Sequence, residues 1–125
     1  MVSKALCLMV ALGIGGMAQA EKPPKIPVAL GAWTGPRAGS FKSGVRSGVA
    51  KECQVVRANK ARVIIDGEVT EEDKRFKVRV IVKSPVTNDI VESKEYTFSK
   101  PELSQGQSRK IGHDVFEIAR RSPEQ

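Results

Sequence analysis

The sequence predicts an α+β domain of two layers. A strand–helix–strand unit comes first, then a three-strand antiparallel meander, then a C-terminal helix, with both helices on one face of a mixed sheet. Three observations predict it. The runs Val63–Val69 and Phe76–Val82 place apolar residues at every second position. Phe41, Val45 and Val49 stand at the spacing of one helix face, and so do Ile111, Val115 and Ile118. The connections within the meander are short, which favours antiparallel neighbours.

The elements follow in order. Ile26 to Leu30, IPVAL, alternates and reads as a first strand. Pro27 lacks an N–H, so it belongs at the strand's start or on an unpaired edge. Gly31 to Gly39, GAWTGPRAG, reads as a loop, since its glycines and proline permit sharp turns. Gly39 or Ser40 is suited to cap the helix that follows, from Phe41 to about Cys53. Lys42, Arg46 and Lys51 lie off its apolar stripe. Gly44 and Gly48 each lower its propensity by about 1 kcal/mol relative to alanine. Their spacing makes a flat groove, expected to pack closely on the sheet.

Cys53 to Val56 reads as a brief second strand, followed by the polar loop RANKAR. In the meander, Val63, Ile65 and Val69 point one way and Ile64, Asp66, Glu68 and Thr70 the other. After the polar turn Glu71–Lys74, Phe76, Val78, Val80 and Val82 fill one face. Lys77, Arg79 and Lys83 fill the other, which is expected to be wet. SPVTND, residues 84–89, makes the second turn, and Val91 to Phe98 returns. Pro101 ends the sheet region. A helix is expected from Arg109, with arginines near its C-terminus, and Pro123 stops it.

Ahead of this domain, Lys4 supplies a positive start, Ala5 to Met17 is mostly apolar, and Ala18-Gln19-Ala20 is a small-x-small site. That is the pattern of a secretory signal peptide, and its apolar part is shorter than the roughly 20 residues a spanning helix needs. The expected organisation is signal peptide 1–20, stiff tether 21–25, a single domain 26–121 and a tail 122–125. Cleavage near Ala20 would deliver the chain to the periplasm or the outside. Cys7 lies at the beginning of the apolar run, where a lipid-anchor cysteine does not, so lipidation is not expected. Cys53 is then the lone cysteine of an exported chain. It is either a buried apolar residue or a thiol available to another chain.

The order of elements resembles the amino-terminal domain of TolB and related envelope domains of curli-assembly and flagellar-accessory lipoproteins. The phrase that carries the likeness is Ala61-Arg62-Val63-Ile64-Ile65-Asp66-Gly67-Glu68-Val69, which opens the meander. The strand Phe76-Lys77-Val78-Arg79-Val80-Ile81-Val82 continues it. Pro85-Val86-Thr87-Asn88-Asp89 stands where that group often has an Asp/Asn-x-x-Thr-Gly turn. The resemblance spans almost everything after residue 20. It implies a binding or assembly domain of the cell envelope, with no catalytic residues.

The residues themselves offer no enzyme chemistry. His113 and Asp114 are neighbours in a predicted helix, where adjacent side chains point about 100° apart. One histidine and one cysteine do not make a usual metal set, and Glu71-Glu72-Asp73 lacks the alternating ligands of a calcium loop. The segment 31–40 has neither a P-loop ending nor a G-x-G-x-x-G pattern. No cofactor or metal is expected.

What remains is charge and one aromatic residue. The chain carries a formal charge of +7 at pH 7, of which Lys4 accounts for one. Lys42, Arg46, Arg57 and Arg62 are the candidate anion-binding residues, and a converging set would make a positive surface. Trp33, the single tryptophan, either anchors its segment into the core or joins Arg37 as a partner contact. Nucleic acid is not expected, since the wet strand faces lack interleaved aromatics. The expected function is a non-catalytic, exported envelope protein that binds a partner protein, with the meander edge and the Trp33 loop as the expected contact surfaces, through strand addition or loop docking. The alternative is a binder of anionic envelope lipid or wall polymer.

Overall fold

A computed structural model describes residues 25–122. The predicted signal peptide and its cleavage site, most of the tether, and tail residues 123–125 lie outside the described residues. The elements run β1 (Ile26–Thr34), α1 (Ala38–Glu52), β2 (Cys53–Val55), a 3₁₀ turn (Ala58–Lys60), β3 (Val63–Glu72), β4 (Arg75–Lys83), β5 (Ile90–Phe98) and α2 (Gln105–Arg121). They form one five-stranded sheet of order β2-β1-β3-β4-β5. β1 is parallel to both β2 and β3, and β3, β4 and β5 are antiparallel. The expected mixed sheet and α+β order are therefore the observed ones.

The core lies between the sheet and the helices. Val28 of β1, Val63, Ile65 and Val69 of β3, and Phe76, Val78, Val80 and Val82 of β4 meet Phe41, Val45 and Val49 of α1 and Ile111, Val115 and Ile118 of α2. Phe41 is wholly buried, with its ring centroid 5.6 Å from that of Phe76 and 5.8 Å from that of Phe98. Each fully buried side chain of this kind contributes roughly 1.5–3 kcal/mol of transfer free energy. The opposite sheet face is polar and charge-paired. Lys83 meets Asp66 at 2.7 Å and Arg79 meets Glu68 at 3.7 Å.

Four local expectations change. β1 does not end at Leu30; it continues through Trp33 to Thr34, where a loop was expected. An irregularity lies between Leu30 and Trp33, which pair with Ile65 and Gly67. The Ala32 N–H there donates to Asp66 Oδ1 at 3.0 Å. A Cβ on Gly31 would strike the Asp66 side chain. That glycine serves a bulge rather than a turn. The turn itself is confined to Gly35–Arg37, where Gly35 has φ 104° and Arg37 φ 62°.

α1 starts at Ala38, with Arg37 as a cap that makes no side-chain bond, so Gly39 and Ser40 sit inside the first turn. Gly44 and Gly48 face the α2 side, not the sheet. A Cβ on Gly44 would crowd Leu103, one on Gly48 the Ser108 carbonyl, and one on Gly112 the Gly48 carbonyl. The small residues bring two helix backbones together. α2 begins at Gln105, four residues before the expected start at Arg109. Ser104 accepts from the Gln107 N–H at 3.1 Å, and Gln107 Oε1 accepts from the Ser104 N–H at 2.8 Å. This capping box stabilises a polar first turn that hydrophobic periodicity does not reveal.

Candidate functional site

Three of the four candidate anion-binding residues come together. Lys42 and Arg46 stand one turn apart on α1, and Arg57 follows the end of β2. With Leu30 of β1 and Val55 and Val56 they line a groove of about 360 Å³. Leu30 and Val55 pack on the core and form an apolar floor. Lys42 is half-buried, while Arg46 and Arg57 are exposed. Among the described residues none of the three has a carboxylate partner. Arg62, the fourth, does not line the groove: its guanidinium donates to the Ala119 carbonyl, 3.4 Å away near the end of α2.

Several charges elsewhere are paired within the chain. His113 Nδ1 lies 3.1 Å from Glu52, Lys110 lies 3.6 Å from Asp114, Arg120 bonds Glu117 at 2.6 Å, and Arg121 reaches Glu92 at 3.5 Å. The Arg120 hydrogen bond holds the exposed Glu117 carboxyl below the usual carboxylate range. Two larger hollows have mixed linings. One of about 520 Å³ between α1 and α2 has Glu52 among Lys51, Arg109, Lys110 and His113. Another of about 460 Å³ at the β3–β4 hairpin sets Glu72 and Asp73 beside Arg75 and Lys77. The groove at the end of β2 has cations and apolar groups alone.

Trp33 lies in β1 and is half-buried. Its indole N–H donates to the Ile65 carbonyl at 3.1 Å, and its ring covers Gly67, where any Cβ would collide with it. This is the anchoring arrangement. Arg37 is exposed in the β1–α1 turn, away from the groove lining. Cys53 is buried, and desolvation, with a smaller contribution from Glu52, pushes its thiol up to about 11. At neutral pH it is a protonated, shielded thiol rather than a nucleophile. No group of three or more His, Cys, Asp or Glu among the described residues is placed to hold a metal ion. No helix among them is long and apolar enough to cross a membrane.

Sequence reasoning did not find the groove's floor or the strand edge beside it. Leu30, Val55 and Val56 read as ordinary strand residues. The one available signal was the brevity of the CQVV run, which leaves β2 far shorter than β1.

No protein-family model matches the sequence, and no curated protein matches it. Solved structures do. The fold is similar to that of the PelC L103M dodecamer from Paraburkholderia phytofirmans, at 15% identity and a TM-score of 0.52, over 79% of this chain and 94% of that one. A second PelC dodecamer from the same organism aligns at 15% identity and a TM-score of 0.50, over 77% and 88% of the two chains. TolB from Acinetobacter baumannii aligns at 8% identity and a TM-score of 0.48, over 79% of this chain and 28% of its own. At such identities the likeness to PelC is one of fold.

Proposed function

We propose that the protein is a non-catalytic domain of the cell envelope which, after export, binds a partner protein at the groove formed by Lys42, Arg46 and Arg57. The observation that carries this is the unpaired state of those three cations over an apolar floor. Like charges at i and i+4 on a helix cost about 0.2–0.5 kcal/mol, and no nearby acid among the described residues offsets it. An anionic partner would. A protein surface supplies carboxylates and apolar side chains together, which suits both walls and floor. The predicted signal peptide supports the compartment. PelC, with its similar fold, is a dodecamer, which supports a role in assembly.

The test compares the immobilised wild type with a Lys42→Glu/Arg46→Glu/Arg57→Glu variant in envelope extracts. The expected result is a protein, identified by mass spectrometry, that the wild type retains and the variant loses. Retention of no envelope protein by either would overturn the reading. Cell fractionation should place a chain beginning at Glu21 outside the cytoplasm.

A second reading rests on the exposed guanidiniums of Arg46 and Arg57, since guanidinium groups match phosphate geometry. Here the ligand is an anionic lipid or wall polymer. It predicts binding to phosphatidylglycerol vesicles at low salt. That binding should weaken at physiological ionic strength, where screening acts over about 8 Å.

A further inference from the structure

We propose that the groove takes an extended, acidic segment of the partner, which lies along the bare part of β1 as an added strand. This rests on the partner-protein reading above and names the partner's chemistry.

β2 covers β1 only where Ile26, Pro27 and Val28 face Cys53, Gln54 and Val55. The Val56 N–H then donates to the Val28 carbonyl at 2.8 Å, the last rung on that side among the described residues. β1 runs on to Thr34. Backbone groups alternate sides along a strand, so the N–H and C=O of Leu30 face the same way as those of Val28. No strand lies opposite them among the described residues. A bare strand edge is a template for another strand, and peptide recognition uses such edges repeatedly.

The charges fit the same occupant. Lys42 and Arg46 are four residues apart on α1, about 6 Å along the helix axis. Alternate residues of a strand are about 6.7 Å apart and project from one face. Two carboxylates at i and i+2 of an added strand therefore match these two cations. Arg57, at the end of β2, stands ready for a third. The stems of those carboxylate side chains would cover Leu30 and Val55, which share the α1 face, and the alternate apolar side chains would lie on the opposite face of the sheet. A lipid headgroup satisfies the cations and leaves the strand edge unpaired, so the combination favours a polypeptide.

The experiment uses the full chain and a peptide of about ten residues that alternates glutamate with valine. Amide hydrogen exchange is read by NMR. The added strand should slow exchange of the Leu30 amide about tenfold, as one protecting hydrogen bond does. A second peptide carries the same glutamates with two of its valines replaced by proline. It keeps the charge, lacks two donors, and should bind about tenfold more weakly. Lys42→Glu/Arg46→Glu should abolish binding of both. Equal binding of the two peptides, unchanged exchange at Leu30 in the bound state, or no binding at millimolar peptide would overturn the added strand. If capture from extracts remains sensitive to charge reversal while Leu30 exchange does not change, strand addition fails and partner binding stands. If charge reversal affects neither capture nor peptide, both fail.

Discussion

The sheet has two edges, and the chain treats them in opposite ways. β5 matches its neighbour β4 along nearly its whole length, from Phe76 facing Phe98 to Lys83 facing Ile90. Two of its polar side chains are engaged with α2. Tyr96 donates to Asp114 of α2 at 2.7 Å, and Glu92 meets Arg121 at 3.5 Å. Its ladder shifts register near Val91, and Lys94 and Glu95 put charge along the rim. Bulges and charges of this kind discourage edge pairing. Apolar side chains do surface at its beginning, where Val86, Ile90 and Val91 are 69%, 57% and 46% exposed, but they sit beside the irregular end of the ladder. The other edge is short where β5 is long. β2 has three residues, β1 outruns it, and the nearby cations are unpaired. One edge carries a register shift and charges of both signs. The other is left incomplete, with charge of a single sign beside it, which is the physical form of a docking site.

The comparison can be broken at its foundation first. Phe41 packs from the core against Phe76 of β4 and Phe98 of β5. Phe41→Ala should cost about 3–5 kcal/mol in chemical denaturation, the largest effect of any change considered. A cost below about 1 kcal/mol would mean that the two aromatic partners do not hold the layers together.

Reversing Lys42, Arg46 and Arg57 together should separate binding from folding. These side chains have no partners to lose among the described residues, so the denaturation midpoint should hold, since surface changes away from special features usually stay within about 0.5 kcal/mol. Affinity for the partner should fall roughly a hundredfold, about 2.7 kcal/mol. A matched loss of stability would show that the cations are structural.

On the β5 edge the expectation is reversed. Tyr96→Phe removes the bond to Asp114 and should cost about 1 kcal/mol of stability with no effect on binding. It should also change the alkaline limb. Burial first, then the hydrogen bond to Asp114, pushes the Tyr96 hydroxyl well above its ordinary value. The folded state therefore keeps its proton while unfolded chains release theirs. The stabilisation is complete below the ordinary tyrosine value of about 10 and is lost as pH rises beyond it. Cys53 acts in the same direction, over the window from 9.0 to about 11. Denaturation curves between pH 8 and 12 should fall for the wild type and fall less for Tyr96→Phe. The smallest effect belongs to Lys94→Glu, which should alter neither binding nor stability by more than about 0.5 kcal/mol. A clear loss of partner binding there would transfer the docking role to β5.

Much of the fold was legible because its signals are periodic. Alternation marked β3 and β4, and the stripes 41/45/49 and 111/115/118 marked the helices and their buried faces. What stayed hidden depends on contacts between distant residues. Gly31 looked like a turn because nothing local shows that Asp66 takes the Ala32 N–H. Gly44 and Gly48 looked like a seat for the sheet because the α2 partner, Gly112, lies far along the chain. For the site, the basic character of Lys42, Arg46 and Arg57 was visible, but their convergence was not. Arg62, equal to them in sequence, turns to the end of α2 instead. The bare edge of β1 follows from a mismatch in length between two strands, and no single residue encodes that.

The most direct measurement is an NMR titration of the full chain with the alternating glutamate–valine peptide, following the amides of both edges at once. The expected result is chemical-shift change concentrated at Leu30–Thr34, Lys42, Arg46 and Val55–Arg57. Ile90–Phe98 should stay still, and the Lys42→Glu/Arg46→Glu/Arg57→Glu variant should show no change anywhere. Shifts centred on Ile90–Phe98, or shifts of equal size in the charge-reversed variant, would contradict the assignment of the β1 edge as the docking site.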